Sequence, residues 1–254
     1  MEAGRIYRGD CVDVLREWPD ACVDCCITDP PYNLSTVRGL SWEFSSHITM
    51  REPWDRRLYE GYRDFTESWL SEVSRVVRVN GNILVFSSFH NIHLLGFVLR
   101  SVLNLRVLQQ ITWFKPNAQP NITGRLLTES AEYFLWICNN HPAKAHNWIF
   151  NYEDSKAFNG GLQLRNVWIM PYAPPSEKWW TEHPCQKPLE VVERMVKIWS
   201  NPGDTVLDCF LGSGTTALAC ERLGRRWVGV ENELRYIKAA KRRLYESRRQ
   251  LTLF

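Results

Sequence analysis

The chain has 254 residues, 44% of them hydrophobic, with a formal net charge of +3 and a pI near 8.4. These values fit one domain with a sizeable core, exclude wholesale disorder, and make the mildly basic balance only a weak pointer to a polyanionic partner. Mean hydropathy is −0.33, and no apolar run approaches the roughly 18 residues of a membrane-spanning helix, so no membrane partner is expected.

In chain order, Ile6–Arg8 reads as a short strand closed by Gly9-Asp10, and Val12–Trp18 as a short helix stopped at Pro19. Val23–Thr28 is an apolar strand, and residues 34–58 follow without a period. From Tyr62 to Val77, apolar residues recur every three to four positions, which predicts a helix. Asn80-Gly81 reads as a turn, Ile83–Ser87 as a buried strand, His90–Leu103 as a helix, and Val107–Phe114 and Tyr133–Cys138 as strands. Residues 139–182 are irregular, mixed polar and aromatic. Order returns with a helix opened by Pro188, a strand at Thr205–Cys209, a helix at Thr215–Leu223, a strand at Arg226–Val230, and an amphipathic helix at Leu234–Arg248. Strands alternating with helices predict a mostly parallel α/β sheet.

The amino terminus, MEAGRIYRGD, lacks the apolar segment of a secretory signal, so a cytoplasmic location is expected. Eight cysteines, at 11, 22, 25, 26, 138, 185, 209 and 220, lie mostly in strand-like apolar runs, where a reduced thiol acts as a small buried hydrophobe. Cys22-x-x-Cys25-Cys26 has no second Cys/His pair at zinc spacing, and no metal is expected. Lysines and arginines from Lys238 to Arg249 are read as the solvated face of the last helix.

Two stretches carry chemistry. The first is TDPPYN, residues 28–33, at the end of the Val23–Thr28 strand. Neither proline can donate to a ladder, so the strand stops abruptly and presents a carboxylate and an aromatic ring at its tip. The second is DCFLGSGTTA, residues 208–217, between a strand and a helix. Gly212-x-Gly214-x-x-Ala217 matches the dinucleotide fingerprint, and Glu231 ends the next strand, where an acid accepts from two ribose hydroxyls. From this motif alone the ligand is open, because NAD and S-adenosylmethionine both offer an adenosine ribose. After Glu231 there is chain for one helix, so the rest of the sheet must come from the amino-terminal half. An NAD domain would continue its βαβ pattern there. Since ligands on open parallel sheets bind beyond the strands' carboxyl ends, Asp10, Asp29–Tyr32 and the glycine turn should converge.

Asp-Pro-Pro-Tyr at 29–32, His-Pro-Cys-Gln-Lys-Pro at 183–188 and Asp-Cys-Phe-Leu-Gly-Ser-Gly at 208–214 together resemble the amino-methylating DNA methyltransferases. With the acid motif first, the order resembles their permuted β group. The resemblance implies a Rossmann-like class I methyltransferase fold, circularly permuted: an α/β, mostly parallel, seven-stranded sheet with one antiparallel strand. It divides the chain into a catalytic half at 1–138, a target-recognition insertion at 139–182, and a cofactor-binding half at 183–254. It implies S-adenosyl-L-methionine as cofactor and double-stranded DNA as partner, with a cognate restriction endonuclease and a homodimer as further partners known in such enzymes. Location would then be at the nucleoid when bound to DNA. Cys185 stands where a threonine is common in relatives.

The resemblance assigns Asp29, Pro30, Pro31 and Tyr32 to catalysis. It places Phe210, Gly212 and Gly214 at the cofactor, with Asp29, Asp208, Ser213, Thr215, Thr216 and Asn232 beside them. Glu231 would take the ribose hydroxyls, Asp10 and Cys11 would lie near the adenine end, and Lys187 would meet the methionine carboxylate. Arg38, Arg56, Lys144, His146, Trp148, Arg165 and Lys178 would touch DNA. The chemistry agrees independently. An exocyclic base amine is a poor nucleophile because its lone pair is delocalised. Asp29 and the Pro30 carbonyl can each accept one N–H and localise that pair, while Tyr32 stacks on a flipped base. Asp at 29 resembles the adenine-N6 enzymes; cytosine-N4 enzymes more often have serine there. Three rivals use parts of the same pattern: an NAD-dependent oxidoreductase, a catalytically silent DNA-binding module, and an RNA or protein-glutamine methyltransferase. The first leaves DPPY without a purpose, and the second leaves two intact motifs without one.

Overall fold

The computed structural model describes residues 1–33, 55, 59–121, 124–139, 147–178 and 185–251. Its elements are β1 (Arg5–Arg8), α1 (Cys11–Arg16), β2 (Val23–Thr28), α2 (Tyr59–Val76), β3 (Val77–Ser87), α3 (Ile92–Phe97), β4 (Arg106–Phe114) and β5 (Ala131–Cys138). There follow α4 (Tyr152–Ala157), β6 (Val167–Ile169), α5 (Pro175–Lys178), α6 (Leu189–Trp199), β7 (Thr205–Asp208), α7 (Thr215–Arg222), β8 (Arg226–Glu231) and α8 (Leu234–Leu251).

Alternation along the central strands sets the layers. On β2, Cys25 and Ile27 enter one apolar layer and Cys26 the other; on β3, Leu84 and Phe86 oppose Ile83 and Val85. A strand buried on both faces must be covered on both, as in parallel α/β sheets. Helices α1, α2 and α3 cover one face; α6, α7 and α8 cover the other. The predicted stripe of α2 does its work: Trp69, Leu70, Val73 and Val76 are fully buried, each large side chain contributing about 1.5–3 kcal/mol. The same alternation sends neighbouring Cys25 and Cys26 into different layers, so they cannot share a ligand.

The sheet order is β1-β8-β7-β2-β3-β5-β4-β6. Among the described residues β5 is the single antiparallel strand, paired with β3 and β4. The sheet is therefore mostly parallel with one reversed strand, as expected, but it has eight strands and not seven. The eighth, β6, comes from the 139–182 stretch and pairs parallel with β4 through Val167, Trp168 and Ile169. Three residues are too few to show a period, which is why the sequence hid it. Trp168 and Met170 there are buried in the core, and Asn82 of β3 donates to the Ile149 carbonyl at 2.8 Å.

Asn80-Gly81 is not a turn between elements but a bulge inside β3. Register with β2 jumps from Val23↔Val77 to Cys25↔Asn82, and Asn80 takes φ +64°. Gly81 fits there because a Cβ would meet the backbone oxygens of Asp24 at 2.7 Å and Arg78 at 2.8 Å. The helix predicted from His90 starts at Ile92 and widens into a π-helical turn at Val98–Val102, with Val98 and Leu99 fully buried.

Candidate active site

The carboxyl ends of β1, β2, β3, β7 and β8 open into one pocket. Its lining includes Asp10 and Cys11, Asp29 to Tyr32, Asp208 to Ser213, Thr215, Thr216, Glu231 and Asn232. The three strand tips expected to meet do meet. Lys187 also lines the pocket, joined by Gln186 of its own motif and by Asp55, Phe65 and Phe86, none of the four assigned to the site from sequence.

Hydrogen bonds fix the DPPY turn from several sides. The Tyr62 hydroxyl donates to the Pro31 carbonyl at 2.9 Å, and the Asn91 amide donates to the Tyr32 carbonyl. The Asn33 N–H donates to Asp55 at 2.6 Å, and the Tyr32 hydroxyl donates to Glu132 at 3.1 Å. Asp29 accepts from Lys187 on Oδ2 at 2.6 Å; its Oδ1 is closed to water and meets no described donor in hydrogen-bonding geometry, because the nearby Tyr32 hydroxyl is directed at Glu132. A buried carboxylate oxygen left without a donor is costly unless a ligand supplies one. Burial raises the Asp29 pKa above the usual carboxylate value, against the lowering effect of Lys187.

Lys187 lies on the acid. Its ammonium contacts Asp29 and Glu132, the latter at 2.9 Å, and sits 5.1 Å from the Tyr32 ring centroid. Glu132 in turn meets Lys115 at 3.2 Å. Burial alone would raise Glu132, but the two lysines outweigh it and hold its pKa down to about 2. Burial would likewise lower Lys187, and its two acids more than reverse this, leaving it firmly cationic. The sequence signal for Glu132 was faint: one acid near the start of an otherwise apolar strand, paired across from Trp113, two residues before Lys115.

The glycine turn is held by its own acids. Glu231 accepts from the N–H groups of Gly212 and Glu233, both at 2.8 Å, and burial raises its pKa. Its carboxylate also lines the pocket, where it can accept from a ligand hydroxyl. Asp208 accepts from Thr28 at 2.8 Å, Thr216 at 2.6 Å and the Phe210 N–H at 3.2 Å; burial, opposed by these donors, brings its pKa to about 6. Arg243 of α8, buried behind the turn, donates to Thr215 at 2.8 Å and lies 3.5 Å from the Ser213 hydroxyl. Gly214, at φ +79°, turns its bare side to Ala240 of α8, where a Cβ would approach within 2.9 Å, and it is not a pocket-lining residue. Asp10 caps α1 by accepting from the Val12 N–H at 2.9 Å while still lining the pocket. Burial raises the Cys11 thiol pKa beyond ionisation near neutrality.

The candidate DNA contacts fare differently. Arg38, Arg56, Lys144 and His146 lie outside the described residues, as does the side chain of Lys178. Trp148 packs edge-to-face on Trp136 with the Arg106 guanidinium 5.2 Å from its ring, near the start of β4 and away from the Asp29 end of the sheet. Arg165 is exposed just before edge strand β6.

The sequence matches the N6/N4 DNA methylase family over residues 23–242. It is 36% identical over 241 residues to Type II methyltransferase M2.LlaDCHI of Lactococcus lactis subsp. cremoris, covering 94% of this chain and 88% of that one. The M1.HpyAVI–SAM complex superposes with a TM-score of 0.71 at 30% identity, over 94% and 98% of the two chains. The cytosine-N4-specific PvuII DNA methyltransferase superposes at 0.74 with 19% identity over 95% and 86%, a likeness of fold alone.

Thr28→Val should leave Asp208 with one donor fewer and cost about 1–2 kcal/mol of stability. Urea unfolding checks this, and an unchanged midpoint would show that the Thr28–Asp208 bond contributes nothing.

Proposed function

The chain belongs to the N6/N4 DNA methylase family, and from that premise we propose that it transfers a methyl group from S-adenosylmethionine to the N6 amine of a flipped adenine in double-stranded DNA. The observation that carries the reading is Asp29 Oδ1, a carboxylate oxygen out of water and without a hydrogen-bonding donor among the described residues, in the pocket that also holds the glycine turn. An amine supplies the donor that is missing.

The residues present fit the cofactor. Glu231 offers acceptors for two ribose hydroxyls, Phe210 and Phe65 line the pocket, and Asp208, Ser213, Thr215 and Thr216 border its glycine turn. When bound, S-adenosylmethionine supplies an electrophilic methyl group on a sulfonium. Asp29 Oδ1 and the Pro30 carbonyl then accept the two amine N–H bonds, which draws the nitrogen lone pair out of conjugation and aims it away from both acceptors. Tyr32, held at its hydroxyl and its carbonyl, presents its ring as a stacking face. Reaching an amine inside a duplex requires flipping the nucleotide out. The proton released from the methylated nitrogen passes to Asp29 Oδ1, whose burial-raised pKa suits brief protonation. Much of the rate comes from holding both reactants in line.

The adenine assignment rests on an aspartate at 29. Target recognition is assigned to 139–182, whose described part supplies exposed polar groups such as Arg165 beside the sheet edge while its buried residues fasten it to the core.

Asp29→Ala should abolish methyl transfer in a tritiated-cofactor assay while binding the cofactor within about threefold of wild type; turnover near wild type would remove Asp29 from the mechanism. Nucleoside digestion of the methylated DNA should release N6-methyladenine, and N4-methylcytosine would overturn the choice of base. Replacing 139–182 by the corresponding segment of a relative should move the methylated site, whereas an unmoved site would place recognition elsewhere.

A further inference from the structure

We propose that Glu132 is a positioning residue for amine methylation, acting through Lys187 and Tyr32, and that Lys187 serves the catalytic acid and not the cofactor's carboxylate. The inference rests on the reading above that Asp29 receives the amine.

The topology puts Glu132 where it can act. Because β5 alone runs against its neighbours, its first residues, and not its last, lie at the pocket end of the sheet. Glu132 is the second residue of β5, level with the ends of β3 and β4. Its Oε1 accepts from both the Tyr32 hydroxyl, at 3.1 Å, and Lys187, at 2.9 Å; its Oε2 accepts from Lys115 at 3.2 Å. One carboxylate thus holds the ring that would stack on the base and the cation that touches Asp29.

Lys187 has three N–H bonds, and two are directed at Asp29 and Glu132. Its side chain is only 8% exposed, so it is fixed between those acids and not swinging in the pocket. The bond to Asp29 occupies Oδ2 and leaves Oδ1 as the open acceptor. The bond fixes the plane of the carboxylate, so that one oxygen faces the lysine and the other stays open. Two acids and two lysines form a closed, charge-balanced cluster, the condition under which buried charges are tolerated.

The remaining described groups that act on Asp29 are acidic or neutral. Tyr32 lies on its own turn, Asp208 at the end of β7, and Cys185 beside Lys187. Among the described residues, Lys187 is the cation in contact with Asp29 and lowers its pKa, Glu132 raises it through its like charge, and Lys115 stands on the far oxygen of Glu132. Removing one or the other should shift Asp29 in opposite directions, which a merely structural contact would not do.

The test titrates Asp29 by carboxyl carbon NMR in the free enzyme, where no DNA or cofactor is needed. Glu132→Gln keeps the shape and removes the charge, and should lower the Asp29 pKa by about one unit; Lys187→Met should raise it by about one unit or more. In Glu132→Gln, single-turnover methyl transfer should fall roughly 10- to 100-fold with S-adenosylmethionine affinity within about twofold of wild type. If Lys187→Met does not fold, Glu132→Gln decides alone. An unmoved Asp29 titration with an unchanged rate overturns the proposal. So does a loss of cofactor affinity matching the loss of rate, which would put Lys187 on the cofactor's carboxylate. If wild-type enzyme methylates no base amine, the proposed function falls, while the Asp29 titration still reports on the cluster by itself.

Discussion

One buried carboxylate joins the two halves of the chain. Asp208, at the end of β7, accepts from Thr28, the residue immediately before Asp29, and from Thr216 in the first turn of α7. Thr28 lies 180 residues from Asp208 in sequence but on the neighbouring strand β2. The bond network therefore sets the distance between the turn that would hold the amine and the turn that would hold the methyl donor. Line-of-attack chemistry tolerates little error in that distance. Asp208 appears in the sequence as the first residue of a glycine motif, and its position suggests contact with a ligand. In the structure, its oxygens are already engaged by protein donors, so its first task is registration.

A second constraint follows from the reversed strand. Parallel strands present their carboxyl ends to the pocket, so a residue from a strand's start can reach it only where the strand runs backwards. That is how Glu132 comes to stand beside Lys187, while Lys115, just past the carboxyl end of β4, meets its other oxygen. The site is thus built from two kinds of structure. Loops at parallel strand tips carry Asp29 and the glycine turn, and the antiparallel pair carries Glu132, which anchors Lys187 beside Asp29.

Most of the fold was legible because its strands are buried on both faces and its helices carry clear apolar stripes. Val23–Thr28 and the α2 stripe of Trp69, Val73 and Val76 show this most plainly. What escaped had no periodic signature: the three-residue β6 and the bulge at Asn80-Gly81, where local turn chemistry sits inside a strand. At the site, the residues with a fixed motif were legible and those acting through space were not. Lys187 and Asp29 were seen, but not their pairing, and Glu132 was not seen, since nothing in the spacing of the three reveals that they converge. Trp148, an aromatic in basic, irregular sequence that reads as a stacking group, packs edge-to-face on Trp136.

The account turns on Asp29 accepting a hydrogen bond from the target amine. The most direct measurement is a crystal structure of the enzyme with a cofactor analogue that bears an amine in place of the methyl sulfonium, bound to the duplex it methylates. The flipped base should place its exocyclic nitrogen about 2.7–3.2 Å from Asp29 Oδ1 and from the Pro30 carbonyl, with Lys187 still on Oδ2. A base whose amine meets other groups, with both Asp29 oxygens turned to Lys187, would contradict the account.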